Sequence, residues 1–431
     1  MSGFQFPEGF LWGASTSAHQ VEGQNLHSDW WAWEQAGRVK EPSGLACDHY
    51  RRYADDIDLA ASLGHTAHRF SIEWARIEPS EGQWDDAALR HYVDVVRHLR
   101  RRRLEPLVTL HHFTNPQWFL ARGGRPNPKS VEWFARYAQR IAQALDGSAR
   151  YWLTINEPLV YVRMHYIQGL GPPGARDLGQ ALQVIQHMIH GHAAAYHALH
   201  AARPIGGAMP RVGFAHYIPE FWPCRRWSLR DRWIAQITDR IFTVAFLQGV
   251  TEGRVDVPGM AAWRLPDARS TMDYLGFNYY NRQFIRWAPD AGGAWPGQSC
   301  DVGHHREVTE RNALGWDVNP DAFGRLLVRL GGFGVPIFVT ENGTYMEEDA
   351  RRERFIVRHI QAMARAMQRG APVIGYCYWS LLDNFEWADG YGPRFGLVNV
   401  DYATQQRTVR GSAKRYAEIC TSNRVDMSPE R

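Results

Sequence analysis

The sequence predicts a single (β/α)8 barrel, on two observations: short apolar, β-rich runs recur along the whole chain, and stretches of helical periodicity separate them. Eight such runs occur, and the sequence has no Ser/Gly linker, low-complexity tract or short repeat to mark a boundary. With 431 residues, 45% of them hydrophobic and 22% charged, the chain can bury a large core. Residues 1–431 are therefore read as one barrel domain, and 421–431 as a flexible tail.

In chain order the strands are expected at Phe10–Ser15, Ala67–Ile72, Glu105–His111, Tyr151–Asn156, Arg211–Tyr217, Tyr274–Tyr279, Ile337–Glu341 and Val373–Ser380. Helical patterns fill the intervals at Tyr50–Leu63, Ala87–Arg100, Val131–Leu145, Leu178–Ala201, Asp231–Gln248, Asp321–Leu330 and Arg351–Gln368. The segment Arg282–Leu314 is rich in Gly, Pro, Trp and polar residues and has no period. It is expected to be a long loop over the barrel mouth, because structureless segments of that length are usually functional lids or walls.

The net charge of +4, from 49 basic and 45 acidic residues, is spread along the chain without a polybasic arm or acidic tail. A nucleic-acid partner is disfavoured, and the run Arg100–Arg103 reads as the solvated end of an amphipathic helix. The N-terminal sequence lacks a basic region followed by a long apolar run, and no 18-residue apolar stretch occurs. No membrane partner is expected. The five cysteines (47, 224, 300, 377, 420) are scattered without CxxC spacing, which suits a reduced, cytoplasmic setting. The histidines at 187, 190, 192, 197 and 200 have partial metal spacing but no carboxylate or cysteine beside them. They read as helix packing and surface, and no metal or cofactor is expected.

In such a barrel the site forms at the C-terminal strand ends, so polar residues there call for a reason. They include His19 and Gln20 after the first strand, Arg69 in the second, His111 and His112 ending the third, and Asn156 with Glu157 after the fourth. His216 lies in the fifth, Asn278 and Tyr280 in and after the sixth, Glu341 and Asn342 at the seventh, and Trp379, Glu386 and Trp387 at and after the eighth. Glu157 and Glu341 each follow an apolar strand, YWLTIN and VPIFVT. A single carboxylate at a strand end is usually an ordinary ion pair, but two facing one mouth suit glycosidic cleavage. One must be protonated to donate to the departing oxygen while the other, kept ionised by a cation such as Arg69, attacks carbon or activates water.

These residues lie in motifs that resemble glycoside hydrolase family 1, the β-glucosidase family, from Phe10 to about Tyr416. The motifs are FLWGASTSAHQVEG (10–23), HRFSIEWARI around Arg69, TINEP (154–158), GFNYY around Asn278, VTENG (339–343) and YWSLLDNFEWADGYGPRFGLV (378–398). The resemblance implies a retaining double displacement, with Glu341 as nucleophile and Glu157 as acid and then base. It implies that Gln20, His112, Asn156, Trp379, Glu386 and Trp387 surround the sugar, and that Arg69, Asn278 and Tyr280 support the carboxylates. Trp316 is the candidate aglycone platform. Glu386 stands where phosphosugar-cleaving members carry another residue, so unphosphorylated β-glycosides or short oligosaccharides are the expected partners. Two positions depart from the family pattern: Phe113 replaces a usual tryptophan beside the sugar, and Leu159 replaces an aromatic after the NEP motif. Retention of both carboxylates argues against a sugar-binding pseudoenzyme, whereas transfer of the sugar to an acceptor other than water stays open. So do the preference among glucose, galactose and fucose and the oligomeric state.

Overall fold

A computed structural model describes residues 3–202, 209–256, 262–290 and 295–428. Eight strands close into a barrel: β1 (Leu11–Ser15), β2 (Ala67–Ser71), β3 (Glu105–His111), β4 (Tyr151–Asn156), β5 (Arg211–Tyr217), β6 (Leu275–Tyr279), β7 (Ile337–Asn342) and β8 (Val373–Trp379). Neighbours follow chain order and pair in parallel, with β8 closing on β1. Each strand falls within a residue of its expected bounds. Strands covered on both faces read as nearly continuous apolar runs, which makes them visible in a sequence.

The barrel interior is filled in two layers. The lower layer is apolar, with Leu11, Ala67, Leu107, Tyr151, Leu153, Ala215, Tyr274, Phe338, Ile374 and Cys377 packed together. Above it lie Arg69, Thr109, Asn156, Asn278 and Glu341, all buried. Strand alternation puts residues an even number apart on one face, and Ala67/Arg69 and Leu107/Thr109 obey it. Leu153 with Asn156, and Phe338 with Glu341, are three apart and both point inward. Register slips between Leu153 and Asn156 and between Val339 and Asn342 absorb the extra residue. Such irregularities beside a site re-aim side chains; here they turn polar groups to the mouth.

Helices pack outside the barrel over a second core. In Asp86–Arg101 the cap Asp85 accepts from the backbone N–H of Ala87 and Ala88, and Ala88, Tyr92, Val95, Val96 and Leu99 form the buried stripe. The arginine run that follows is spent on surface pairs, Arg100 with Glu105 and Arg102 with Asp58. In Leu178–Ala201, buried His192 bonds Thr154 and the carbonyl of Thr271, and His200 pairs with Asp273. The fifth helix is continuous but changes pitch, from Leu229–Asp239 through a π-helical stretch, Arg240–Ala245, to Phe246–Glu252. Among the described residues no helix is long and apolar enough to cross a membrane.

Two expectations need correction. The segment Arg282–Leu314 is not structureless: Arg282–Trp287 pairs in parallel with Glu220–Pro223 and antiparallel with Gly297–Ser299. The reason is burial of Phe284 and Ile285 together with an internal ion pair, Arg282 to Asp317 at 2.7 Å. Residues 291–294 of this segment lie outside the described residues. The expected tail is ordered as far as it is described, with residues 429–431 outside that range. Helix Gly411–Ser422 leads into Arg424–Asp426, which pairs antiparallel with Gly3–Gln5. Asn423 adopts φ +50° to end the helix, and its side chain accepts from Trp12 Nε1 at 2.8 Å and donates to the Phe6 carbonyl.

Candidate active site

The two carboxylates occupy different surroundings. Glu341 ends β7 and is clamped from two sides: Arg69 donates to its Oε1, and the Tyr280 hydroxyl donates to its Oε2 at 2.6 Å. With both oxygens accepting, this is the hydrogen-bond pattern of an ionised carboxylate. Arg69 is itself fixed by Thr109 Oγ1 at 3.1 Å and Asn156 Oδ1 at 2.7 Å. The Tyr280 phenol stays protonated, because burial and the Glu341 charge push its pKa up.

Glu157 follows β4, three strands away around the ring, in a left-handed backbone conformation (φ +47°, ψ +61°). It precedes the helix Pro158–Val162, whose proline suits the first helical position, and its backbone N–H is tied to the Ala215 carbonyl at 2.7 Å. A non-glycine residue held there signals strain sustained by its surroundings. Its carboxyl accepts from Asn278 Nδ2 at 2.8 Å. Burial pushes the Glu157 pKa up to about 8, and the Glu341 charge adds to that, while Asn278 and Arg69 pull the other way. One carboxyl thus holds its proton near neutral pH beside another built to accept.

Asn156 links the halves. Its Oδ1 accepts from Arg69 and from Asn278, and its amide donates to His112 Nε2 at 3.1 Å. Burial and the Arg69 charge hold His112 well below the usual histidine pKa, so the ring is neutral. The proton then sits on Nδ1, which has no protein partner among the described residues. His112 lies parallel to Trp379 at 5.9 Å and to Trp387 at 6.3 Å between ring centres. Trp379 Nε1 reaches Glu386 Oε1 at 3.4 Å. Burial pushes the Glu386 carboxyl well above the usual range, and the Glu341 charge works in the same direction.

Of the polar residues singled out at the strand ends, Arg69, His112, Asn156, Glu157, Asn278, Tyr280, Glu341, Trp379, Glu386 and Trp387 lie together, whereas His111 packs on Phe134 and Tyr161 and His216 on Phe214 and Phe246, against the outer helices; Gln20 needs one qualification. Both its amide protons are engaged, to Asn384 Oδ1 at 2.9 Å and the Phe385 carbonyl at 2.8 Å, and its Oε1 accepts from Ser17. The same amide also lies within hydrogen-bonding reach of Glu386, so Gln20 meets a ligand chiefly through its remaining acceptor lone pair. Trp316 sits at the outer rim, 6.1 Å from Tyr280 and 6.2 Å from Phe395. Phe113 takes φ +72° and packs on Trp387 at 5.3 Å. Sequence reasoning missed Thr109, Thr340, Asn384 and Phe395. The last two lie within the 378–398 motif, whereas a threonine in a strand reads only as a β former. Among the described residues, no site carboxylate belongs to a cluster with metal-ligand geometry.

Known proteins resemble the chain along its whole length. The family described as Glycosyl hydrolase family 1 matches residues 3–425. The chain is 29% identical to "Beta-glucosidase A" of Thermotoga maritima, covering 98% of this chain and 99% of that protein. It is 28% identical to the "Beta-galactosidase" of Pyrococcus woesei, over 97% and 98% of the two chains. The solved structure of a β-glycosidase from Pyrococcus horikoshii superposes with a TM-score of 0.91 at 36% identity, covering 100% and 99%.

Proposed function

Since the chain belongs to glycosyl hydrolase family 1, and is an O-glycosyl hydrolase of the β-glucosidase type, we propose that it is a retaining enzyme. On this reading it removes non-reducing terminal, unphosphorylated β-D-glycosyl residues, glucosides and also galactosides or fucosides, by double displacement. One observation carries the reading: the environments of the paired carboxyls diverge, with Glu157 holding its proton and Glu341 accepting from a guanidinium and a phenol.

Glu341 attacks the anomeric carbon while Glu157 gives its proton to the departing aglycone oxygen, leaving a glycosyl ester on Glu341. Glu157, now a carboxylate, takes a proton from water as that water attacks the same carbon, and the Glu341 ester bond breaks with configuration retained. The second amide proton of Asn156 suits the sugar 2-hydroxyl, and the unpartnered Nδ1–H of His112 suits another hydroxyl. A protonated Glu386 can both donate to and accept from sugar hydroxyls. Among the described residues, none of its hydrogen-bond partners is a cation, which favours an unphosphorylated sugar. Trp316 and Phe395 are the proposed platform for the aglycone. The barrel is proposed to act as one domain, and its unbridged cysteines favour a reducing, cytoplasmic setting.

The test is an assay on aryl β-glucoside, β-galactoside, β-fucoside and 6-phospho-β-glucoside, beside Glu341→Gly with azide. Hydrolysis of unphosphorylated compounds, lost in the variant and restored by azide as the α-glycosyl azide, is the expected result. Turnover confined to the phosphorylated compound, or binding without turnover, overturns the reading.

A further inference from the structure

We propose that Cys224, Cys300, His304 and His305, which take no part in the glycosidase site, bind one zinc ion. They come from two segments far apart in sequence, Cys224 from one and Cys300, His304 and His305 from the other, that the small sheet beside the barrel brings to one point. Its central strand, Arg282–Trp287, has Glu220–Pro223 on one side and Gly297–Ser299 on the other. Cys224 and Cys300 each sit one residue past an outer strand. Their backbone N–H groups donate to adjacent carbonyls of the central strand, Ile285 and Phe284, both at 2.8 Å. The turn Val302–His304, capped by Asp301 accepting from the Gly303 N–H, then brings two imidazoles to the thiols.

The ligand atoms are close enough for a single ion. Cys224 Sγ lies 3.5 Å from His304 Nε2, and Cys300 Sγ lies 3.8 Å from His304 Nε2 and 3.1 Å from His305 Nε2. All four atoms lie within 4.8 Å of one another. Zinc bonds of about 2.3 Å to sulfur and about 2.0 Å to nitrogen, set tetrahedrally, separate sulfur from nitrogen by about 3.5 Å. The ligand set also selects the metal: two thiolates and two imidazoles in a tetrahedron are a zinc site. The two thiolates balance the charge of the ion, and binding releases the two thiol protons to solvent.

The surroundings support ligation over a chance hydrogen-bond cluster. The His305 ring lies flat on Phe284 at 3.7 Å, and its Nδ1 faces Glu307 Oε1 at 3.8 Å. That separation is too long for a hydrogen bond, so the carboxylate acts on the ring by charge alone, while Nε2 faces Cys300 Sγ. Four protein ligands leave no open position, so the ion is structural. It would staple both edges of the sheet whose central strand begins at Arg282, two residues after the Tyr280 that donates to Glu341. His304 is exposed, so an ion has access from solvent.

Metal analysis of the full-length protein, purified with its thiols reduced and without chelator, tests the proposal, with cobalt substitution as the spectroscopic readout. One equivalent of zinc is expected, and cobalt should give the visible d–d bands and sulfur charge transfer of a tetrahedral thiolate site. Zinc should shield two thiols from a thiol reagent. Cys224→Ser with Cys300→Ser should abolish uptake. Reduced wild-type protein that takes up neither zinc nor cobalt overturns the proposal, as does uptake unchanged in the double variant. Because the readout is metal binding, the result is independent of whether the glycosidase reading holds.

Discussion

The side-chain amide of Asn278 donates to Oε1 of Glu157 at 2.8 Å. That bond favours the ionised form of Glu157 and so works against burial, which holds the proton on. Removing the donor in Asn278→Ala should raise the Glu157 pKa further, so that the alkaline limb of kcat/KM against pH moves to higher pH. Thr340 holds Asn278 by donating to its Oδ1 at 2.6 Å. Thr340→Val should move the limb the same way by less, whereas a purely structural threonine would leave it in place.

On the proposed mechanism the first step needs Glu157 protonated, so kcat/KM should fall as pH rises through about 8. In Glu157→Gln that limb should vanish. For substrates with poor leaving groups, kcat should fall roughly 10²–10⁴-fold, the usual contribution of general acid catalysis. Aryl glycosides with strongly acidic leaving groups should lose far less in the first step. Equal losses across a leaving-group series would count against the acid role.

Tyr280 donates to Glu341 at 2.6 Å from a phenol that remains protonated. A hydrogen bond to a charged group is worth about 1.5–3 kcal/mol, so Tyr280→Phe should lower kcat roughly 10–100-fold. The folded state should persist, because only one hydroxyl is deleted. Steady-state kinetics beside a thermal melt separate the two effects.

Just past β7 the backbone at Gly343 runs tightly against the end of β8. A Cβ added at Gly343 would stand 1.8 Å from the Trp379 carbonyl oxygen, a backbone atom that cannot swing aside. Gly343→Ala should therefore cost about 1–3 kcal/mol by overpacking, read as a lower Tm. Activity should fall with it, since the displaced segment carries both Glu341 and Trp379.

The barrel was legible because its strands are buried on both faces and its helices carry clear apolar stripes, as in Tyr92, Val96 and Leu99. The small sheet was not: its strands span three to six residues and are only partly buried, so Arg282–Trp287 has no clean alternation. In the site, Glu157, Glu341 and Arg69 stood out as charges on apolar strands. Thr109 and Thr340 did not, because their hydroxyls act on neighbouring strands that no local pattern connects. The cysteine–histidine cluster was hidden for the same reason. Only its local part, Cys300 followed by His304 and His305, was a signal. The left-handed turn at Glu157 was also invisible, since nothing in TINEP announces a positive φ.

That turn sets the demands of chemistry against those of the backbone at one position. A non-glycine residue in such a conformation carries about 1–3 kcal/mol of strain, and at 157 the side chain is also a carboxyl buried beside another charge. Glycine would relieve both. A library screened for heat resistance alone should thus enrich glycine at position 157 and discard the proposed acid in the same step. Stabilising substitutions here have to be sought with turnover in the selection, and away from the end of β4.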